Sequence, residues 1–462
     1  MFEVPKNVFR GYDIRGVYPT ELNENFATLV GKAFGTLMKN AGENTVVIGH
    51  DNRKSYPKLE KGLINGLIST GINVVNIGFC VTPMTYFARI LLNIKPSIMI
   101  TASHNPKEYN GFKICALGTD TIYGEEIQDL RKFIEKGEFI EVPESECGKV
   151  EDMSIRDDYI NYIVNKVTLG PRKLKVAIDC GSGVGSLFAE EVFTKLGCEV
   201  IPTCCESDGD FPIHHPDPSQ EKNMLEFEKF VVENQCDIGL AFDGDADRVI
   251  CFDEKGKILF GDEYMALIWR DLIKKYPGAK AILDVKCTQG LYEELEKIGA
   301  VPEFCQVGSS LIKAQIRKEN LVFAGEYAGH IYFNDEHYGY DDAMYAGARM
   351  LRILSNTDKK MSELSDGFPK YVGSPEVIVK VTDETKNEIV NRVRDRFIAE
   401  GNKVITIDGA RVLFGAHSWG LVRASNTGPN LTVKSEAKTL EEANQIIDTI
   451  QKYVEEEVEK LK

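Results

Sequence analysis

At 462 residues, with 43% apolar and 27% charged side chains, the chain exceeds one ordinary core and holds material for about three or four domains. Its 71 acidic against 55 basic residues give a formal charge of −16, which disfavours nucleic acid as a main partner, since such binding rests on a basic face, but permits a small anionic ligand held by local donors. No segment reaches the ~20 apolar residues of a membrane span, so neither a nucleic acid nor a membrane is expected as a partner.

The opening residues MFEVPKNVFR lack the basic flank and apolar run of a secretion signal. The 11 cysteines are odd in number and form no C-x-x-C pair. They read as reduced residues of a cytoplasmic protein. In chain order, Thr45–Gly49 predicts a strand, residues 57–70 a helix, and Asn73–Ile77 a second strand. Ser97–Ile100, Leu174–Asp179, Glu199–Ile201, Ile238–Phe242, Val249–Phe252, Ala281–Val285 and Leu321–Ala324 continue the strand pattern, with helical segments between most of them. Alternation of this kind predicts βαβ units and largely parallel sheets, whose functional loops lie beyond the strands' C-terminal ends. After about residue 369 the pattern becomes α+β: a helix near 383–400, strands near 403–407, 411–415, 419–423 and 430–435, and a helix from about 439. Composition breaks at 141–158, 253–256 and 365–369 divide the chain into expected domains 1–150, 151–255, 256–368 and 369–462. The expected fold is three successive α/β domains with mostly parallel mixed sheets, plus a C-terminal α+β domain, around a central cleft.

Four loops carry groups suited to chemistry. Thr101-Ala-Ser-His-Asn-Pro106 follows the apolar run Ser97–Ile100, and its proline stiffens the chain just after Ser103. It lacks the G-x-S-x-G elbow of a hydrolase, and by itself it reads as a turn. Asp243-Gly-Asp-Ala-Asp-Arg248 sets three carboxylates at alternate positions, which repel unless a hard cation such as Mg²⁺ or Ca²⁺ joins them. An EF-hand is ruled out by Arg248 at the position that requires glycine. An aspartyl-phosphate phosphatase using Asp243 is the competing chemistry. Gly325-Glu-Tyr-Ala-Gly-His330 allows close backbone approach, with Glu326 to accept and His330 to donate. Arg423-Ala-Ser-Asn-Thr-Gly428 is a compact donor set for phosphate. Elsewhere, the glycines from Cys180 to Gly185 fail the dinucleotide pattern at Ser186. His214-His215 lacks a nearby third ligand of zinc type and reads as a structural loop, and Cys204-Cys205 is given no role.

These four loops in this order, together with Phe9–Gly16, Tyr109–Lys113, Asp284-Val-Lys286 and Tyr338–Asp342, resemble the α-D-phosphohexomutase superfamily, most closely its phosphomannomutase/phosphoglucomutase branch. The resemblance covers essentially the whole chain. It implies an isomerase that interconverts hexose 1-phosphate and hexose 6-phosphate, mannose and/or glucose, through a phosphoserine and a 1,6-bisphosphate intermediate. Ser103 would carry the phosphoryl group and, with Asp243, Asp245 and Asp247, bind Mg²⁺; glucose 1,6-bisphosphate would be the activator. Lys113 would move protons, Arg15 and Arg248 would offset phosphate charge, and His104 and His330 would assist. Tyr12, Lys286, Glu326, Ala328, Arg423, Ser425, Asn426 and Thr427 would bind the hexose phosphate. A lysine base needs a lowered pKa, for which Arg15 is an available positive neighbour. The resemblance leaves a monomer or a homodimer open, and glucosamine or N-acetylglucosamine phosphates remain alternative substrates. Three departures fall where substrate choice is set: Ala328 where serine is common, Ser309 where histidine is familiar, and Gly428 where glutamate is common.

Overall fold

A computed structural model describes residues 4–117, 121–426 and 428–461. The chain divides into two compact units, Met1–Phe260 with Ala328–Leu364, and Gly261–Tyr327 with Ser365–Lys462.

The first unit contains two sheets. One orders its strands Ile14–Val17, Tyr109–Cys115, Ser97–Ile100, Thr45–His50, Asn73–Phe79 and Val150–Asp152. Thr45–His50 is parallel to both neighbours, whereas Tyr109–Cys115 runs antiparallel to Ser97–Ile100 and to Ile14–Val17. The other sheet orders Ile258–Leu259, Val249–Phe252, Ile238–Phe242, Lys175–Asp179 and Glu199–Thr203, with the last three parallel. The central strands are buried along their whole length, which explains their continuous apolar runs.

Helices cover the sheets because their apolar residues repeat every three or four positions. Glu24–Asn40 buries Phe26, Val30, Ala33, Phe34 and Met38, and its first turn is capped by Asn23 Oδ1 accepting from Phe26 N at 3.0 Å. It packs against Tyr56–Ile68 through glycines: a Cβ on Gly31 would stand 2.4 Å from Leu63 O, and one on Gly66 2.3 Å from Thr28 O. Alanine at either position forces the two helices apart.

In the second unit, Val301–Cys305, Lys280–Asp284 and Phe323–Gly325 form parallel pairs. The tail builds an antiparallel sheet ordered Val372–Gly373, Asn430–Ala437, Trp419–Ala424, Ala410–Leu413 and Lys403–Ile405, and Val377–Lys380 also pairs with Asn430–Ala437. Helices Lys386–Ala399 and Leu440–Lys460 pack Val393, Phe397, Ile446, Ile450 and Val454 into its core. The α/β and α+β assignments hold. The short strands Ile14–Val17, Val150–Asp152 and Val377–Lys380 add to the expected set. No helix among the described residues is long and apolar enough to cross a membrane.

Candidate active site

The first unit gathers the serine loop, the aspartate loop and His330. Ser103 stands at the end of strand Ser97–Ile100, 1% exposed, with φ of +50°. That left-handed backbone is uncommon outside glycine, and strained positions of this kind persist only where the surroundings fix them. Thr101 Oγ1 accepts from Ser103 N at 2.8 Å and donates to Asp51 Oδ2 at 2.7 Å. Arg53, fully buried, donates to the carbonyls of Ser103 (2.7 Å), Asn105 (2.6 Å), Pro106 (2.6 Å) and Tyr109 (3.0 Å). Its Nε donates to Asp51 Oδ2 at 3.1 Å. Arg53 therefore holds the loop by its backbone, and nothing in the sequence reading singled it out.

Ser103 Oγ donates to Asp243 Oδ2 at 2.7 Å and lies 3.2 Å from His104 Nδ1. The other Asp243 oxygen accepts from the backbone N–H of Asp247 and Arg248 at 3.1 and 3.2 Å. The loops touch at Gly244, where a Cβ would stand 2.6 Å from Ser103 O. Asp243, Asp245 and Asp247 each offer a carboxylate oxygen, and these oxygens lie within 4.8 Å of one another. Burial, then crowding by Asp245 and Asp247, holds the Asp243 carboxyl well above its ordinary range. Asp245 Oδ1 and Asp247 Oδ1 are buried with no hydrogen-bond partner among the described residues. Such an oxygen-only donor set, with two of its buried oxygens lacking a hydrogen-bond partner among the described residues, fits a hard divalent cation.

Lys113 Nζ lies 2.7 Å from Asp245 Oδ2 and 2.5 Å from Asp247 Oδ2. Burial works against its charge, but Asp245, Asp247, Asp243 and Asp341 outweigh burial and raise its pKa. This corrects the expected lowering by Arg15: the carboxylates, not the arginine, dominate the lysine's surroundings. Arg15 instead donates to Asp13 Oδ2 (2.5 Å) and Asn105 Oδ1 (2.7 Å), and Tyr12 is close enough to act electrostatically on Arg15 and Arg248. Arg248 Nε donates to His330 Nε2 at 2.9 Å, while His330 Nδ1 faces Asp341 Oδ2 at 2.9 Å. Asp341 is a further residue that sequence reasoning passed over except as part of a motif. His104 is held well below its usual pKa by burial, then by Arg248 and Arg15, so its ring is neutral.

Of the remaining predicted binding residues the second unit holds Lys286, Glu326, Arg423, Ser425 and Asn426, whereas Ala328 opens the returning segment of the first. Lys286 pairs with Glu376 at 2.6 Å, and Asp284 accepts from the N–H of Lys286 (2.6 Å) and of Tyr327 (2.7 Å), tying two predicted loops together. Glu326 is 3% exposed and Ala328 half-buried. Arg423 Nε donates to Asp408 Oδ2 at 3.1 Å, leaving its buried Nη2 with no hydrogen-bond partner among the described residues. Asp408 also accepts from Val307 N (3.0 Å), and Asn426 Nδ2 donates to Val307 O (2.9 Å). Lys386 Nζ donates to Ser425 O at 2.8 Å and Gly428 O at 3.3 Å. The Arg423 loop is thereby fixed beside the N-terminus of helix Ser309–Glu319, a setting suited to an anion. Thr427 lies outside the described residues.

The chain resembles known proteins over nearly its whole length. The phosphoglucomutase/phosphomannomutase alpha/beta/alpha domains I, II and III match residues 6–141, 157–256 and 260–371, and the C-terminal domain of that family matches 376–452. A phosphomannomutase/phosphoglucomutase of Pseudomonas putida is 42% identical over 446 residues, 96% of this chain and 95% of the relative. A phosphoglucomutase of Neisseria meningitidis serogroup A is 39% identical over 441 residues, 95% of each. The crystal structure of a phosphoglucomutase/phosphomannomutase family protein from Burkholderia thailandensis superposes with a TM-score of 0.90 at 35% identity, covering 98% of both chains. With four domain types matched in order and full-length relatives near 40% identity, the chain belongs to the phosphoglucomutase/phosphomannomutase family.

Proposed function

We propose that the protein is a phosphohexomutase that interconverts hexose 1-phosphate and hexose 6-phosphate, mannose and/or glucose, with Ser103 as the phosphoryl carrier. The observation that carries this reading is the Ser103 hydroxyl on Asp243 at 2.7 Å, which joins the carrier atom directly to the aspartate triad. Ser103, Asp243, Asp245 and Asp247 are the residues to hold Mg²⁺, which when bound supplies charge stabilisation for a transferring phosphoryl group. In the forward transfer the bond from phosphorus to Ser103 Oγ breaks and one to the free sugar hydroxyl forms, giving the 1,6-bisphosphate. The hydroxyl proton leaves and Ser103 Oγ gains one. Lys113 relays it, donating from its ammonium and recovering the sugar's proton. Arg248 and Arg15 offset phosphate charge, with His330 orienting Arg248 and His104 beside the carrier loop.

In the second unit, Lys286 and Glu326 take the sugar hydroxyls, and Arg423, Ser425 and Asn426, with Thr427, take the phosphate that is not reacting. Ala328, Ser309 and Gly428 bear on which hexose is preferred. Glucose 1,6-bisphosphate charges Ser103 and so acts as activator. We further propose domain boundaries at 150, 255 and 368, small hexose phosphates as the partners of a monomer or homodimer, and a cytoplasmic location in keeping with 11 free cysteines.

The test follows mannose 1-phosphate and glucose 1-phosphate separately by ³¹P NMR with Mg²⁺ and a trace of bisphosphate. The expected result is the 6-phosphate without inorganic phosphate. Release of inorganic phosphate in its place supports an Asp243 phosphatase and rejects the mutase reading.

A further inference from the structure

Strands Lys175–Asp179 and Glu199–Thr203 run parallel, with Asp179 opposite Thr203. Asp179 thus ends one strand beside Cys204, the first residue beyond the other. The chain then loops back and sets His214 against the same point. His214 Nε2 lies 3.1 and 3.2 Å from the two Asp179 oxygens, and its Nδ1 donates to His215 O at 2.9 Å. The Nδ1 bond turns Nε2 towards Asp179, the usual way in which a carbonyl fixes a ligating imidazole. Facing two carboxylate oxygens, Nε2 must share either a second ring proton or a cation with them.

Cys204 supplies the third group. Ligand atoms of Asp179, Cys204 and His214 lie within 4.8 Å of one another, Asp179 being 2% exposed. Cys204 holds φ of +48°, in the left-handed region, with its carbonyl accepting from Ser182 N at 2.7 Å. Oxygen, nitrogen and sulfur ligands around zinc stand about 3.4–3.6 Å apart, from bonds of about 2.0–2.3 Å, so closing the trio takes a side-chain adjustment on the order of an ångström. A cavity of about 450 Å³ lined by these three residues and by Lys222, Asn223 and Glu226 gives solvent access to a fourth position.

We propose that Asp179, Cys204 and His214 form a binding site for a zinc-class divalent transition ion, separate from the aspartate loop. Carboxylate, imidazole and thiolate together suit Zn²⁺ rather than Mg²⁺. Binding releases to solvent the thiol proton and any proton on Nε2. On this reading His214 has the partners that its neighbours in sequence do not supply: Asp179, 35 positions away, and Cys204 converge on it only at the sheet's end. The same loop carries His215 and Asp217, which act electrostatically on His104 and Arg248. An ion here clips that loop to the sheet and steadies groups facing the transfer site.

The test strips the full-length protein with chelator, reloads it with Zn²⁺ under excess Mg²⁺, and counts zinc per chain after desalting. Wild type and Asp243→Asn are expected to keep one zinc each; Cys204→Ser and His214→Ala are expected to bind more than about tenfold more weakly and lose it. With Co²⁺ in place of Zn²⁺, wild type shows a thiolate-to-cobalt charge-transfer band that Cys204→Ser abolishes. Circular dichroism checks folding, and the near-isosteric Cys204→Ser keeps the test decisive if His214→Ala does not fold. A wild type that retains no zinc leaves His214 as an imidazolium on Asp179 and overturns the assignment. So does zinc retention or a cobalt band unchanged in Cys204→Ser.

Discussion

Arg53 in the first unit and Arg411 in the second are both fully buried, and each holds a loop of predicted site residues by its backbone carbonyls. Arg53 reaches four carbonyls around Ser103 and keeps a carboxylate partner in Asp51. Arg411 reaches only two, Val285 O at 2.7 Å and Cys287 O at 2.8 Å, on either side of Lys286. It is otherwise sandwiched by aromatics, 3.7 Å from the Trp419 ring centre and 4.5 Å from that of Phe304. Its Nε and Nη2 have no hydrogen-bond partner among the described residues, and burial pushes its pKa down to about 10. The Ser103 loop is thus pinned by charge-assisted hydrogen bonds, and the Lys286 loop by packing with a few of them. Under the proposed function this contrast has a reason: phosphoryl transfer depends on alignment, whereas a sugar can be held by several partly independent contacts.

The largest expected effect is at the carrier itself. Ser103→Ala lowers kcat at least about a thousandfold, while hexose-phosphate affinity by calorimetry stays near wild type. Next comes Arg53→Met, which strands four carbonyls and the Asp51 carboxylate in a buried setting and lowers stability by about 3–5 kcal/mol. Arg411→Met strands two carbonyls but also removes two unpartnered donors, for a loss of about 1–3 kcal/mol. Urea midpoints of the two variants compare the arginines directly, and equal losses would erase the distinction drawn between the loops. Arg423→Lys, by shortening the reach towards phosphate, raises KM about tenfold with kcat little changed; a matching fall in kcat would place Arg423 in the transfer step.

A separate effect concerns pH. Burial pushes the Asp262 carboxyl up to about 6 in the folded second unit, against Lys434 and the Thr288 N–H, which favour its charge. A raised folded pKa means a penalty present in full above about pH 6 and relieved as pH falls towards the unfolded value near 4. Wild-type stability relative to Asp262→Asn is therefore expected to rise between pH 7 and pH 4, read from paired thermal melts. A difference that does not change with pH would show that Asp262 titrates normally.

Much of this was legible in the chain because the informative signals are local. Buried parallel strands such as Ser97–Ile100 and Ile238–Phe242 are continuous apolar runs, and the loops that follow them carry their chemistry in six consecutive residues. What escaped reading is long-range. Arg53 contacts residues 50 to 56 positions away, and nothing in Asp51-Asn-Arg-Lys-Ser55 marks it as the loop's anchor. Lys113 could be placed near the site by its motif, but the sign of its pKa shift depends on aspartates more than 130 residues distant. The edge strands Ile14–Val17 and Val377–Lys380 are too short to show a period. His214 meets Asp179 across 35 positions, a pairing that only the sheet reveals.

The identity of the carrier atom is the point on which the rest depends. Incubation with glucose 1,6-bisphosphate labelled in its phosphates, followed by peptide mapping, is expected to yield acid-stable label on Ser103, absent from Ser103→Ala. Hydroxylamine-labile label on Asp243 would contradict a serine carrier and make the aspartate the nucleophile.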